Sequence, residues 1–176
     1  MTRPDAHDDI LTRFHPIVAG WFSGTLGAPT EVQARAWREI AAGGHVLVTA
    51  PTGTGKTLAA FLWAIDRLVT GAWPAGETRV LYVSPLRALN NDVRRNLETP
   101  LAQIGERFGR EGAPVPGIRA LTRSGDTPAG ERRTMLRRPP EILITTPESL
   151  NILLTSANSR SPVSYTHLTL PTNREV

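Results

Sequence analysis

Apolar residues recur along this chain in two patterns, as short continuous runs and as longer stretches with helical spacing. The short runs predict strands at 45–50, 79–84, 117–122 and 141–145. The longer stretches predict helices at 6–23, 30–42, 56–70, 86–105, 127–137 and 147–155. Strands alternating with helices are typical of an α/β fold with a doubly wound parallel sheet, in which ligands gather at the carboxyl ends of the strands.

The composition is that of an ordinary soluble domain. The chain has 176 residues, of which 40% are hydrophobic and 20% charged, enough for one sizeable core. The absence of cysteine excludes disulfides and thiolate metal sites. No apolar run is as long as a membrane span, so we expect no membrane partner and a cytoplasmic location. The net charge of +4 is compatible with a nucleic-acid partner, and equally with the arginine bias of a GC-rich genome.

Positive charge is carried almost entirely by arginine, and Lys56 is the single lysine in the chain. Lysine ends in a compact ammonium, whereas arginine ends in a wide planar fork. A lysine that persists where arginine serves everywhere else therefore marks a position that arginine does not fit. This indicates a functional role for Lys56.

The residues around Lys56 fit the phosphate-binding loop G-x-x-x-x-G-K-[ST], with alanine in the first position. The apolar run HVLVTA precedes the loop as a predicted buried strand, and an amphipathic helix follows it. In this context backbone N–H groups and the helix N-terminus bind phosphates, Lys56 reaches the β- and γ-phosphates, and the Thr57 hydroxyl ligates Mg²⁺. The predicted loop residues are Ala50, Pro51, Thr52, Gly53, Thr54, Gly55, Lys56 and Thr57, of which Lys56 and Thr57 are the predicted catalytic residues.

Hydroxyl residues, prolines and a glycine follow the other predicted strands, in the motifs SPLRAL, TRSGDT and TTPESL. Each motif taken singly fits an ordinary helix cap, because proline and Ser or Thr both favour helix N-termini. Taken together they fit a track for a sugar–phosphate backbone, with charge added by nearby arginines. These arginines are Arg87, Arg94, Arg95 and Arg123.

In sequence and order, the motifs PTEVQARAW, APTGTGKT, SPLRAL, TRSGDT and TTPESL resemble those of superfamily 2 DEAD/DEAH-box helicases. FHPIVAGWF, SPLRALNNDVRRNLE and TPESLNILL are similar to the large helicase-related (Lhr) proteins within that group. The resemblance covers roughly residues 10–156. It implies an incomplete RecA-like sheet over residues 29–160, preceded by a helical flank over 1–28, and an ATP-dependent helicase that couples hydrolysis to strand translocation and unwinding.

The resemblance also implies individual roles. Gln33 would recognise the adenine edge of ATP, and Phe14 or Trp21 would pack near the base. The bound strand, DNA in preference to RNA, would be bordered by six residues. These are Ser84, Pro85, Arg87, Gly125, Thr146 and Pro147.

The chain departs from the family near its end. An Asp-Glu-x-His motif after a further strand, and a second RecA-like domain with an arginine finger, are not found in these 176 residues. From about Ser161 the sequence changes character, and VSYTHLTLPT can be encoded by a DNA end used in preparing sequencing libraries. We therefore expect residues 161–176 to be a non-native tail on a truncated helicase that is itself inactive.

Two alternatives remain open at this stage. The chain could belong to another class of phosphate-loop enzyme, such as a kinase or a transport ATPase, although SPLRAL and TPESL would then lack a purpose. It could also act as a nucleotide- and nucleic-acid-binding module without turnover. The sequence does not determine the oligomeric state.

Overall fold

A computed structural model describes residues 8–51, 53–85, 87–114 and 117–155 of the chain. Seven helices and three strands form an α/β fold in these ranges, with four helices first and then strands alternating with helices. The helices are α1 (Asp8–Leu11), α2 (Pro16–Leu26), α3 (Glu31–Ala41), α4 (Lys56–Val69), α5 (Arg87–Arg110), α6 (Ala129–Arg137) and α7 (Pro147–Thr155). The strands are β1 (Val80–Val83), β2 (Ala120–Arg123) and β3 (Ile142–Thr145).

The three strands form a parallel sheet in the order β1-β3-β2. Tyr82 of β1 and Thr122 of β2 both pair with Ile144 of β3, so the carboxyl ends of the strands are level. Three of the four predicted strands are therefore confirmed, with ends that differ by at most three residues. The α/β fold class and the parallel sheet are confirmed with them.

The fourth prediction, a buried strand at 45–50, is wrong for the described structure. Residues 45–50 form no ladder with β1, β2 or β3, and Leu47 is 73% exposed. An apolar, β-branched run becomes a strand only where a neighbouring strand accepts its backbone hydrogen bonds, and no described strand does so here. The segment that leads into the phosphate loop is thus outside the sheet.

Two predicted helices differ from those observed. The helix predicted at 6–23 is two helices, because the residue before a proline avoids helical dihedral angles and Pro16 starts α2 after an extended His15. The helix predicted to end at residue 105 continues to Arg110. Its buried stripe extends beyond Leu97 through Ile104 to Phe108, so burial stabilises the additional turn.

An aromatic cluster joins the first helices to the helix after the phosphate loop. Trp37 of α3 is fully buried, and Phe14 and Phe22 meet it edge-on with centroids 5.0 and 5.3 Å away. Its indole N–H donates to the carbonyl of Ala59 in α4 at 2.9 Å. The N-terminal flank therefore belongs to the same core as α4, and this packing fixes the position of the phosphate loop.

The amino ends of all three strands meet at Glu141, which is 2% exposed. Its carboxylate accepts the N–H groups of Gly76, before β1, and Arg119, before β2, both at 2.9 Å. Its backbone carbonyl accepts from the N–H groups of Arg79 and Val80. Burial by itself raises the pKa of the Glu141 carboxyl, but the two N–H donors and the charge of Arg119 outweigh burial and hold the pKa below its ordinary value.

We expect Glu141→Gln to destabilise the fold in a pH-dependent way. Because the folded-state pKa is lowered, the carboxylate stabilises the protein above its ordinary pKa of 4.5, and this contribution is lost as the pH falls through the folded-state value. Near neutral pH the variant should lose about 1–3 kcal/mol in free energy of unfolding, and the difference should narrow in acid. Urea unfolding of the wild type and the variant over a pH series measures this difference in free energy of unfolding.

Glu98→Gln is the matched control, since Glu98 is exposed and pairs with Arg94 within a single helix. Loss of this ion pair should lower the free energy of unfolding by less than about 0.5 kcal/mol. A stability difference for Glu141→Gln that is equally large at acid pH would contradict the assigned role of the carboxylate.

Candidate functional site

The phosphate loop has the backbone that its glycines predict. Gly53 and Gly55 have φ of 85° and 80°, a left-handed conformation that side-chain-bearing residues rarely adopt. Gly55 is the N-cap of α4, and no side chain caps the N–H groups of that first turn. These donors and the positive end of the helix dipole form an anion-binding surface. Thr52 lies outside the described residues.

The two predicted catalytic side chains lie at the start of α4. The Lys56 ammonium donates to the carbonyl of Ala50 and, at 2.6 Å, to that of Pro51, so it lies across the loop. Thr57 is exposed, and its hydroxyl makes no hydrogen bond with the described residues. One residue thus lies over the loop and the other keeps its hydroxyl available to a ligand.

Helix α3 holds the far side of the phosphate loop. The Thr30 hydroxyl donates to the Thr54 carbonyl at 3.2 Å, and the Gln33 amide nitrogen to the Gly55 carbonyl at 3.4 Å. Gln33 also completes a capping box, because its amide oxygen accepts the Thr30 N–H and the Thr30 hydroxyl accepts the Gln33 N–H. A Cβ at residue 55 would clash with the Gln33 amide, so glycine is required there for this contact as well.

Gln33 is 4% exposed, and its amide is engaged with Thr30 and Gly55. The Gln33 amide can therefore make the predicted contact with adenine only if it shares or gives up one of these hydrogen bonds. Thr30, the N-cap of α3, also contacts the loop and was not among the predicted site residues. Phe14 and Trp21 are 4% and 3% exposed core residues, and the expectation that either packs near a base stays a prediction.

A second group of predicted residues lies where the strands end. The Ser84 N–H donates to the Thr145 carbonyl, and the Thr145 hydroxyl donates to the Arg123 carbonyl at 2.8 Å. These bonds connect the ends of β1, β3 and β2 in that order. The loops carrying SPLRAL, TRSGDT and TTPESL are therefore neighbours on one edge, as predicted from the parallel sheet.

The hydroxyl groups on this edge have structural partners. Ser84 is 1% exposed and hydrogen-bonded to Tyr82. Burial raises the pKa of Tyr82, and the bond with Ser84 offsets only part of that increase. The Thr146 hydroxyl is also buried and caps α7 by accepting the Ser149 N–H at 3.3 Å. These two hydroxyls therefore serve packing and helix capping. A ligand at these positions would contact backbone groups instead.

Other residues of this edge are accessible. Pro85, Pro147 and Gly125 are exposed, whereas the side chain of Arg87 lies outside the described part of the structure. Arg94 pairs with Glu98 at 3.5 Å within α5. The edge is joined by the bonds from Ser84 to Thr145 and from Thr145 to Arg123, whereas the phosphate loop is held against α3, so different elements position the two groups.

The described residues contain no group of three or more histidines, aspartates or glutamates able to hold a metal ion. The Thr57 hydroxyl is the metal donor predicted from the sequence. Mg²⁺ is commonly bound through one or two protein oxygens together with substrate phosphates and water. A metal at this place would therefore arrive with the nucleotide.

None of the described helices is both long and apolar enough to span a bilayer. This agrees with the absence of long apolar runs in the sequence.

Comparison with known proteins identifies the group. The sequence pattern of the family described as DEAD/DEAH box helicase matches residues 30–170. A "Lhr helicase/probable uracil glycosylase" of Mycolicibacterium smegmatis is 56% identical over 150 residues, which are 85% of this chain and 10% of that protein. A "Lhr helicase/uracil glycosylase" of Escherichia coli is 46% identical over 160 residues, 87% of this chain and 10% of that protein.

A solved structure of the Mycobacterium smegmatis helicase Lhr, bound to ssDNA and AMP-PNP, is similar to 85% of this chain at a TM-score of 0.79 and 55% identity. The matched region is 19% of the chain in that structure. This chain thus spans about a tenth of the length of the two curated relatives. With most of its residues matched, the chain belongs to the DEAD/DEAH box helicase family and is similar to the Lhr helicases within it.

Proposed function

We propose that this chain is the ATP-binding part of an ATP-dependent, Lhr-like nucleic-acid helicase that acts in the cytoplasm. The observation that carries the proposal is the phosphate loop at the start of α4, with Lys56 across it and Thr57 exposed. Backbone N–H groups hold the phosphates, Lys56 reaches the β- and γ-phosphates, and the Thr57 hydroxyl ligates Mg²⁺. Bound Mg²⁺ would neutralise phosphate charge.

The second substrate in this proposal is a single nucleic-acid strand, DNA in preference to RNA. Support comes from the edge formed by the loops after the three strands, and from the ssDNA in the similar Lhr structure. In this arrangement Gly125, Pro85 and Pro147 border the strand, with Ser84, Thr146 and Arg87 beside them. Contacts of this kind bind the sugar–phosphate backbone and do not depend on sequence.

Strand translocation and unwinding are proposed for a longer protein that contains this chain. Hydrolysis needs an acidic pair to hold Mg²⁺ and position water, and a cation to stabilise the charge on the γ-phosphate. The acidic motif does not occur in these 176 residues. The same observation supports a second candidate for the isolated chain, namely a nucleotide- and nucleic-acid-binding module without turnover.

Lys56→Arg should weaken Mg·ATP binding about ten- to a hundredfold in the complete protein, because the planar guanidinium does not fit between the loop and a phosphate. The rate of ATP turnover should fall together with this affinity. Titration with a fluorescent ATP analogue and steady-state kinetics measure the two effects. Arg35→Lys, the reverse exchange at an exposed site on α3, is the matched control and should change neither.

Gln33→Ala should reduce the preference of the complete protein for ATP over GTP, since the proposed adenine contact is lost. The variant also loses the bond to Gly55, so affinity for both nucleotides can fall and the ratio of the two affinities is the informative quantity. Gln103→Ala removes a comparable hydrogen bond, to the Trp21 indole at 2.8 Å, and should leave the ratio unchanged. An unchanged ratio in Gln33→Ala would exclude the adenine role.

The 176-residue chain by itself should bind Mg·ATP but show neither ATP hydrolysis stimulated by single-stranded DNA nor strand separation. The acidic motif and the second domain act together with the phosphate loop, and removal of cooperating groups leaves little activity. Phosphate-release and unwinding assays test this in parallel with nucleotide binding. Stimulated hydrolysis by the isolated chain would show that the necessary groups lie within these residues.

A further inference from the structure

The motif FHPIVAGWF, residues 14–22, contacts three helices of the core. Its two phenylalanines, Phe14 and Phe22, pack against Trp37 of α3. The motif also contacts α4, which starts at the phosphate loop, and α5, which starts at the edge where β1 ends. One short segment thus touches the helices that lead away from both groups of predicted site residues.

The backbone at the start of the motif is attached to α4. The His15 N–H donates to the Asp66 carboxylate at 2.7 Å, and the Arg67 side chain donates to the Arg13 carbonyl at 3.2 Å. Asp66 is 1% exposed and forms an ion pair with Arg67 at 3.0 Å. It lies ten residues after Lys56, or about 15 Å along the helix from the phosphate loop. Charge-assisted hydrogen bonds therefore hold the motif on α4.

Two rings of the motif contact α5. The Trp21 indole N–H donates to the Gln103 amide oxygen at 2.8 Å, and the His15 ring centroid lies 4.9 Å from that of Phe108. Gln103 lies sixteen residues after Arg87, or about 24 Å along the helix from the edge where β1 ends. Apolar contact is non-directional, whereas a hydrogen bond needs a defined geometry. The bond from Trp21 to Gln103 therefore fixes where α2 lies along α5.

We propose that the motif FHPIVAGWF couples the two proposed sites by holding α4 and α5 in a fixed relation, with Trp21 and Gln103 as the positioning residues. The inference rests on the proposed function and deepens it, by naming a connection through which nucleotide binding changes the affinity for the strand. Besides the direct packing of α4 on α5, the motif joins these helices by hydrogen bonds at both ends. Rigid helices and hydrogen bonds of this kind carry coupling between distant sites.

The first test measures this coupling in the complete protein as the ratio of two dissociation constants of fluorescein-labelled oligo(dT), without and with saturating Mg·AMP-PNP. Trp21→Phe keeps an aromatic ring but removes the N–H donor. It should bring the ratio about three- to tenfold closer to one, the usual effect of a change within a coupling network. The affinity for each ligand in the absence of the other should change little.

Two comparisons accompany this measurement. Because coupling is reciprocal, the effect of oligo(dT) on the affinity for Mg·AMP-PNP should shrink by the same factor. Trp73→Phe is the matched control, since Trp73 is half-buried in the loop after α4 and its indole makes no hydrogen bond with the described residues. The same exchange of rings there should leave the ratio unchanged.

The second test separates coupling from stability by means of Gln103→Leu and its combination with Trp21→Phe. Gln103→Leu leaves the buried indole N–H without its acceptor, so it should lower the thermal unfolding midpoint of the 176-residue chain. The double variant has apolar groups in place of both partners and should recover much of that midpoint. The coupling should stay reduced in both single variants and in the double variant, because the hydrogen bond is absent from all three.

The possible results separate this inference from the function on which it rests. If the wild type fails to bind Mg·AMP-PNP or oligo(dT), the proposed function is wrong. If it binds both and shows no coupling, or if the double variant regains wild-type coupling together with stability, the inference alone is overturned. If Gln103→Leu fails to fold, Trp21→Phe and the double variant decide: coupling below that of Trp73→Phe supports the inference, and coupling equal to it overturns the inference.

Discussion

The Glu141 carboxylate is the interaction on which the arrangement of the sheet depends. It accepts N–H groups from the segments before β1 and β2, and its own residue precedes β3, so one buried charge joins the amino ends of all three strands. Strands that start level and run parallel also end level, which brings their loops to one edge. The loops at that edge are thus positioned in part by the backbone donors that Glu141 accepts at the opposite edge.

The phosphate loop is fixed by a different means, since it is connected to no described strand. Burial of Trp37 against α4, and the bonds from Thr30 and Gln33 to Thr54 and Gly55, hold it against α3. The loop thus depends on helix packing, and the edge where the strands end depends on the sheet. Helix α4 starts at the phosphate loop, α5 starts at the edge where β1 ends, and the two helices pack on each other, which connects the two groups.

Features that depend on local residue chemistry were predictable from the sequence, whereas features that depend on contacts with distant segments were not. The phosphate loop and the strand that ends at Thr145 follow from residue type and spacing, and the structure contains them. The segment 45–50 has the composition of a strand, but a strand needs a neighbour that no local pattern reveals. Likewise nothing in the sequence showed that Arg132 would bridge two carbonyls of the preceding loop, because that contact depends on how α6 is placed.

The distribution of lysine and arginine now has a physical explanation. Two arginines in this structure use the width of the guanidinium: Arg132 spans two carbonyls, and Arg67 contacts Asp66, the carbonyl of Arg13 and the face of Trp63 at once. Lys56 occupies a place where such width is a disadvantage, since its ammonium lies among loop carbonyls, 2.6 Å from that of Pro51, beside the backbone proposed to bind phosphate. A fork there would displace either the loop or the ligand. A sequence that substitutes arginine wherever geometry allows therefore keeps its single lysine at the phosphate loop.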